Sequence, residues 1–262
     1  MRETTLTRVL TSGPVLKVIP AVVFLGLWEV GANWKDSLLI PNASTTIRST
    51  FELVQRGETW EAMWISNQSL LLGFGMAVLT GIPSGLLMGR VRAIEKMADV
   101  WMNVLVVLPM AMLMPVIIMS LGFDLRARSL VVLLFAYPMV AVNARAGVRE
   151  VPTDLIEMSR SFGAGEAQLW RKILLPAAAP AIWTGLRVGL GRAITGMILA
   201  ELLLVSVGIG RLLQLYKGTF QPGNTYAIVA IVVAESLVLM AVVRRLEHRL
   251  VPWANDDAFS RT

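Results

Sequence analysis

Six apolar stretches alternate with polar segments along the chain, at about 15–33, 66–89, 98–121, 129–148, 180–206 and 225–243. Each approaches the roughly 20 mostly apolar residues that a helix needs to cross a hydrocarbon core. The pattern predicts an all-α integral membrane protein with six transmembrane helices. Gly73, Gly75, Gly81, Pro83, Pro109, Pro115 and Pro138 fall inside these stretches. In water they would break helices, but between neighbouring spans the backbone is resealed and small residues permit close contact. Between the first two stretches Ser44 is placed to cap a short helix whose Ile47, Phe51 and Val54 share one face, suited to lying along the membrane surface. No internal repeat, low-complexity tract or long linker divides residues 1–262, which read as a single transmembrane domain.

Composition agrees with this pattern: 55% of the residues are hydrophobic and 16% charged, too apolar for an ordinary soluble domain. The absence of cysteine and the single histidine, His248, exclude thiol chemistry and a Cys/His zinc site. Arg2 and Arg8 precede the first apolar run, as they would in a signal peptide. That run contains Pro20, ends at Trp28-Glu29 and lacks a small-x-small cleavage site, so a retained first span is expected.

The net charge of +6 reads as topogenic, because short cytoplasmic loops retain Lys and Arg. With the N-terminus inside, fifteen of the 24 basic residues fall on inner segments, among them Arg90, Arg92, Lys96, Arg149, Arg160, Arg171 and Arg245. Seven fall on outer ones: Lys35, Arg48, Arg56, Arg126, Arg128, Arg211 and Lys217. The remaining two, Arg187 and Arg192, lie in the fifth span. Both termini are therefore expected in the cytoplasm.

The loop between spans four and five, residues 150–178, carries clear helical punctuation. Thr153 can cap a helix that Gly163 ends, with glycine supplying the left-handed residue after the last turn. A second short helix is expected from near Gly165, with Glu166 in its first turn, Arg171 and Lys172 in its last, and Pro176 just beyond. Leu155, Ile156, Phe162, Leu169 and Trp170 are apolar residues on this cytoplasmic loop. They suit either insertion into a partner or packing on the chain's own spans.

Glu157, Gly163 six residues later, then Ile173, Leu175 and Pro176 resemble the EAA motif of binding-protein-dependent ABC permeases: Glu-Ala-Ala, three residues, Gly, nine residues, Ile-x-Leu-Pro. Met158 and Ser159 replace the two alanines. Within that superfamily the chain resembles the nitrate, sulfonate, taurine and bicarbonate group. The shared segments are Leu27-Trp28-Glu29, Ser69-Leu-Leu-Leu-Gly73, Gly81-Ile-Pro-Ser-Gly85, Gly185-Leu-Arg187, Ala200-Glu201 with Gly208-Ile-Gly210, and the run from Arg244 to Trp253.

The resemblance implies a type I importer permease in a bacterial inner membrane. It implies a second permease copy, two cytoplasmic ABC ATPases docked on the EAA helices, and an external or periplasmic solute-binding protein. It assigns Glu157, Ser159, Ser161, Phe162, Gly163, Ala164, Gly165, Ile173, Leu175 and Pro176 to ATPase coupling. No Gly-x-x-x-x-Gly-Lys-Ser/Thr loop occurs, so the chain is expected to bind no cofactor and catalyse nothing, with ATP and Mg on the partner ATPase. Glu157 is expected either to contact that ATPase or to pair with Arg160.

Two other classes fit less well. A secondary carrier would bring inverted-repeat symmetry, and a membrane-embedded enzyme would need convergent catalytic groups that the spans lack. The solute implied is small and polar, like nitrate, a sulfonate, taurine or bicarbonate; a pyrimidine or aromatic carboxylate is the alternative. Asn103, Asn143, Arg187, Arg192, Glu201 and Glu235 are the main intramembrane polar candidates, with Ser120, Tyr137, Thr195 and Ser206 beside them, as path-lining groups or interhelical hydrogen bonds. A lone carboxylate at mid-span is costly. Glu235 lies ten residues into the sixth span and Arg192 about twelve into the fifth, so a compensating pair between them is expected, the alternatives being that Glu235 faces the transit path or bonds neighbouring polar groups such as Ser236.

Overall fold

A computed structural model describes residues 13–35, 39–203 and 207–255. Ser206, Arg2, Arg8 and Arg261 lie outside them. All regular structure among the described residues is helical: α1 (Gly13–Lys35), α2 (Ala43–Val54), α3 (Gly57–Arg90), α4 (Arg92–Val107), a 3-10 turn (Met110–Leu113), α5 (Met114–Leu121), α6 (Leu125–Arg149), α7 (Thr153–Ser161), α8 (Glu166–Leu203), α9 (Gly208–Gly218) and α10 (Pro222–Leu250).

Four of these, α3, α6, α8 and α10, are long and apolar enough to cross a membrane. The expected straight span at 98–121 is instead broken. α4 and the Met110–Leu121 segment pass the same test only together, and they meet at 92°. Pro109 removes a backbone donor at the break, and Pro115 sits at the start of α5, where a missing donor costs nothing.

The second short helix of the 150–178 loop is also not separate. Its first turn, Glu166–Leu169, runs through a π turn at Trp170–Leu174 into the fifth span, so Pro176 lies inside a continuous 38-residue helix. The π turn pairs Leu175 N–H with Trp170 O, and the register change absorbs the donor that Pro176 lacks. At 1.5 Å per residue α8 is about 57 Å long, nearly twice a hydrocarbon core, and its first turns, which carry Glu166, Arg171 and Lys172, are the part too charged to lie inside one.

The chain divides into two compact units. The first holds residues up to Trp60 together with Leu212–Val232. Here Trp28 Nε1 donates to Pro41 O at 3.0 Å and stacks at a tilt on Tyr226, with 5.8 Å between ring centroids. Glu29 accepts from Ser44 N and Ser44 Oγ, at 3.0 and 2.8 Å. Ser44 is thus inside α2 and ties it to α1; it does not cap it, and the capping position belongs to Asn42, whose carbonyl takes Thr46 N–H.

The second unit holds Glu61–Arg211 and Val233 onward. α6 is buried in it between α3 and α8 because both present small residues. On α3, Gly73, Ala77, Gly81, Gly85 and Gly89 recur every four residues and face α6. A methyl at Gly89 would sit 2.8 Å from Arg145 O, and one at Gly81 3.1 Å from Val140 Cγ1. From α8, a methyl at Gly185 would meet Asn143 Cβ at 2.7 Å. Lipid chains are as apolar as leucine and do not drive helices together, so this close approach supplies the van der Waals contact that does. The outward residues remain apolar: Leu79, Val107 and Met119 are 75%, 80% and 88% exposed.

Candidate functional site

The first helix of the loop after α6 ends where its glycine predicts, but Thr153 does not cap it: Pro152 holds the N-cap position, without a side-chain cap, and Thr153 is the first helical residue. This helix, α7, ends in a Schellman motif: Gly163 N–H returns to Arg160 O at 2.9 Å and Ala164 N–H to Ser159 O at 3.0 Å. Gly163 has φ +80°, which only glycine adopts without strain. Gly165 N–H then donates to Gln168 Oε1, opening α8. Ser159 is buried and its hydroxyl donates to Ile156 O, while Ser161 donates to Glu157 O.

The apolar residues of the loop divide their roles. Ile156, Leu169, Trp170 and Ile173 pack on Ile82, Leu86 and Val148, which anchors the loop to α3 and α6. Leu155, Met158 and Phe162 stay in solvent, with Phe162 85% exposed. Together they make a small apolar pad on α7 and its cap. Leu175 is partly exposed, and Pro176 O accepts from Trp253 Nε1 at 3.3 Å.

The Glu157–Arg160 pair, one of the two alternatives for Glu157, does not form among the described residues. Arg160 instead binds Glu166 at 2.6 Å across the glycine bend, with Arg90 at 3.4 Å on the same carboxylate, because the bend brings the start of α8 back toward α7. The Arg160 hydrogen bond, aided by Arg90, holds the Glu166 carboxyl below the usual carboxylate range. Glu157 itself is exposed, with no ion pair among the described residues.

Within the spans Glu201 is fully buried. Its Oε2 accepts from Ser66 Oγ at 2.8 Å and from Gly210 N at 3.0 Å, while Ser66 Oγ accepts from Ile209 N. The carboxylate therefore holds the first turn of α9 against α3. Gly208, with φ +56°, permits this approach: a methyl there would lie 2.7 Å from Glu201 Oε1. Arg128, counted from the sequence as an outer-loop charge, is buried with Nη1 3.7 Å from Glu201 Oε1 and 3.3 Å from Ile65 O.

The expected Arg192–Glu235 pair is absent among the described residues. The Glu235 carboxylate accepts a short hydrogen bond from Asn67 Nδ2 on α3, a residue at the edge of an apolar stretch that no sequence pattern sets apart. Arg187 pairs with Glu247 at 3.3 Å, linking α8 to α10. Asn143 donates to Met139 O within its own helix. Asn103 is exposed and lines a cavity of about 520 Å³ beside the break at Leu108-Pro109. A second network, Arg145 to Asp99 and Glu95 at 2.7 and 2.5 Å with Arg149 to Glu95 at 2.7 Å, fastens α4 to α6. Its i, i+4 spacings, Glu95/Asp99 and Arg145/Arg149, were the sequence signal for it.

Residues 77–255 match the family model described as binding-protein-dependent transport system inner membrane component. A putative aliphatic sulfonates transport permease, SsuC of Bacillus subtilis, is 30% identical over 91% of this chain and 87% of its own length. The taurine transport system permease TauC of Escherichia coli is 30% identical over 74% of this chain and 70% of its own. The fold is also that of a chain in an inward-facing MetNI methionine ABC transporter, with TM-score 0.58 and 23% identity over 76% of this chain and 95% of that one.

Proposed function

The chain belongs to the family of binding-protein-dependent inner membrane components, the membrane subunits of type I ABC importers, and on that premise we propose that it couples a separate ATPase to inward passage of a small oxyanion. The family transports and does not itself catalyse. The relatives SsuC and TauC, named for sulfonates and taurine, support a sulfonate-like solute here.

One observation carries the coupling role: the exposed pad of Leu155, Met158 and Phe162 on α7 and its cap, in a loop that Ile156 of α7 and Leu169, Trp170 and Ile173 of α8 lock onto the spans. A partner that grips the pad moves α6 and α8 with it. The partner is a cytoplasmic ATPase carrying ATP and Mg, which this chain does not bind; Glu157, Ser161, Phe162, Gly163, Ala164 and Gly165 form the contact, and Ser159, Ile173, Leu175 and Pro176 support it from within. Two permease copies, six spans per copy with the broken segment and α1 each counted once, cytoplasmic termini and an external binding protein complete the assembly. Two packings of the spans, biased by ATPase closure, alternate the opening without a chemical step.

The test replaces the pad and its cap separately. Phe162→Asp puts a charge where an apolar contact is needed, and co-purification of the ATPase should be lost while permease level in the membrane persists. Gly163→Val forces a β-branched residue to a positive φ; ATP-driven uptake should fall on the order of tenfold, the effect of about 1.4 kcal/mol of lost coupling. Wild-type ATPase recovery and uptake by both variants would refute the reading.

A further inference from the structure

Where α4 breaks before the 3-10 turn, Pro109 and Met110 face Phe135, Pro138 and Met139 of α6 across a cavity of about 240 Å³. Arg192 of α8 lines this same cavity. It is eleven residues before the end of α8, roughly 16 Å along the axis, and so lies within the span. A cation at this depth is expensive and ordinarily finds a carboxylate. Here the carboxylates of the neighbouring spans are taken: Glu201 by Ser66 and Gly210, Glu235 by Asn67, Glu247 by Arg187. Arg192 is exposed to the cavity, with no ion pair among the described residues.

We infer that Arg192 and the pocket at the Pro109 break form a transit site for the charged head of a small organic oxyanion, a sulfonate or carboxylate. The guanidinium presents a planar fork of donors that matches two oxygens of such a head at once. The aromatic and thioether side chains opposite it suit a short apolar tail. A strongly hydrated cation would meet like charge and no carboxylate. The volume is many times the 10–15 Å³ that one water requires, so solute and residual water fit together. This assignment deepens the proposed importer role and rests on it for the direction of passage; the charge preference of the pocket does not.

The experiment uses the assembled permease and ATPase in membrane vesicles and exploits a chain without native cysteine. Met139→Cys is placed at the wall of the pocket. Its modification by the anionic reagent 2-sulfonatoethyl methanethiosulfonate is compared with that by the cationic trimethylammonium analogue, each rate divided by the rate with a free thiol. The anionic reagent should be favoured on the order of tenfold, the effect of one unit charge acting over several ångströms in a partly wetted site. Arg192→Gln should abolish the preference, Arg192→Lys should keep most of it, and ethanesulfonate should slow the reaction. Equal normalised rates, or a preference that survives Arg192→Gln, would overturn the site. So would slowing by phosphatidylglycerol but not by ethanesulfonate, which would give the cation to a lipid phosphate. In a separate arm, failure of the wild-type complex to import any short sulfonate or carboxylate would defeat the importer reading for oxyanions. Normal import by Arg192→Gln would defeat only the transit site.

Discussion

Replacing Gly208 by alanine tests whether the Glu201 cluster holds the start of α9. The residue sits at φ +56°, and an alanine held there costs roughly 1–2 kcal/mol. Its methyl would also lie 2.7 Å from Glu201 Oε1, closer than real side-chain carbons come, and closer still to Ser66 Oγ. Something must move, and both neighbours are buried. Displacing the carboxylate from Ser66 Oγ and Gly210 N breaks hydrogen bonds to a charged acceptor, worth about 1.5–3 kcal/mol each. Against this, alanine restricts the unfolded chain, a gain of about 0.4–1 kcal/mol. The net loss is about 3–5 kcal/mol when one or two of the bonds fail. At roughly 2–4 °C per kcal/mol for a chain of this size, Tm in detergent should fall by about 10 °C. Ser66→Ala should lower it less, and the double variant should fall short of the sum because both act through one carboxylate. Gly75→Ala is the control, since nothing lies within 4 Å of its added methyl and a helical alanine is favoured. A Gly208→Ala protein melting with the wild type, or no lower than Gly75→Ala, would refute the reasoning.

Topology is testable with single cysteines: Ala93→Cys and Ala164→Cys should resist a membrane-impermeant reagent in intact cells, and Arg56→Cys and Lys217→Cys should react. External labelling at position 93 would reverse the assignment. The Glu166 clamp should respond to acid. Its folded pKa is depressed, so the tether to Arg160 and Arg90 is present above the unfolded carboxylate value and is lost as pH falls through the lower folded value. Hydrogen exchange around Gly163, corrected for intrinsic rates, should rise in that window in the wild type and show no such step in Glu166→Gln. An identical step in the variant would reassign it.

The loop was the most legible part of the sequence, because Pro152, Gly163 and Gly165 constrain backbone dihedrals directly and need no tertiary partner. Helix positions in the spans were legible for a similar reason, since length and apolarity are local. The break at Leu108-Pro109 was not. Pro83 and Pro138 interrupt equally apolar stretches, yet α3 and α6 run straight through them. What separates the cases is packing: α3 and α6 face one another through small residues, while Val107, Met112 and Val116 around the break are exposed. Polar partnerships were read least well. Arg192 lines the cavity at Pro109 while Glu235 bonds Asn67, and the cross-helix partners of Ser66, Asn67 and Arg128 lie more than 60 residues away in sequence. The Trp28-Glu29 pair matched a family segment without a stated purpose, and its bonds to Pro41 and Ser44 supply one.

The unbroken course of α8 makes it a lever. Glu166 at one end is clamped to the cap of α7, Arg192 lies 26 residues along, and Glu201 near the other end is pinned to Ser66 and Gly210. With Glu201 as fulcrum, a push on the loop swings the near end most, and Arg192, nine residues or about 14 Å from the fulcrum, moves through a smaller arc. A tilt of about 5° would carry the Glu166 end, 35 residues away, by roughly 4–5 Å and the Arg192 backbone by about 1 Å. On the proposed coupling, the lever would gear a large stroke at the pad down to a fine displacement at Arg192. The π turn at Trp170–Leu174 is its point of compliance, and stiffening that turn into regular α-helix should change how much of the stroke arrives.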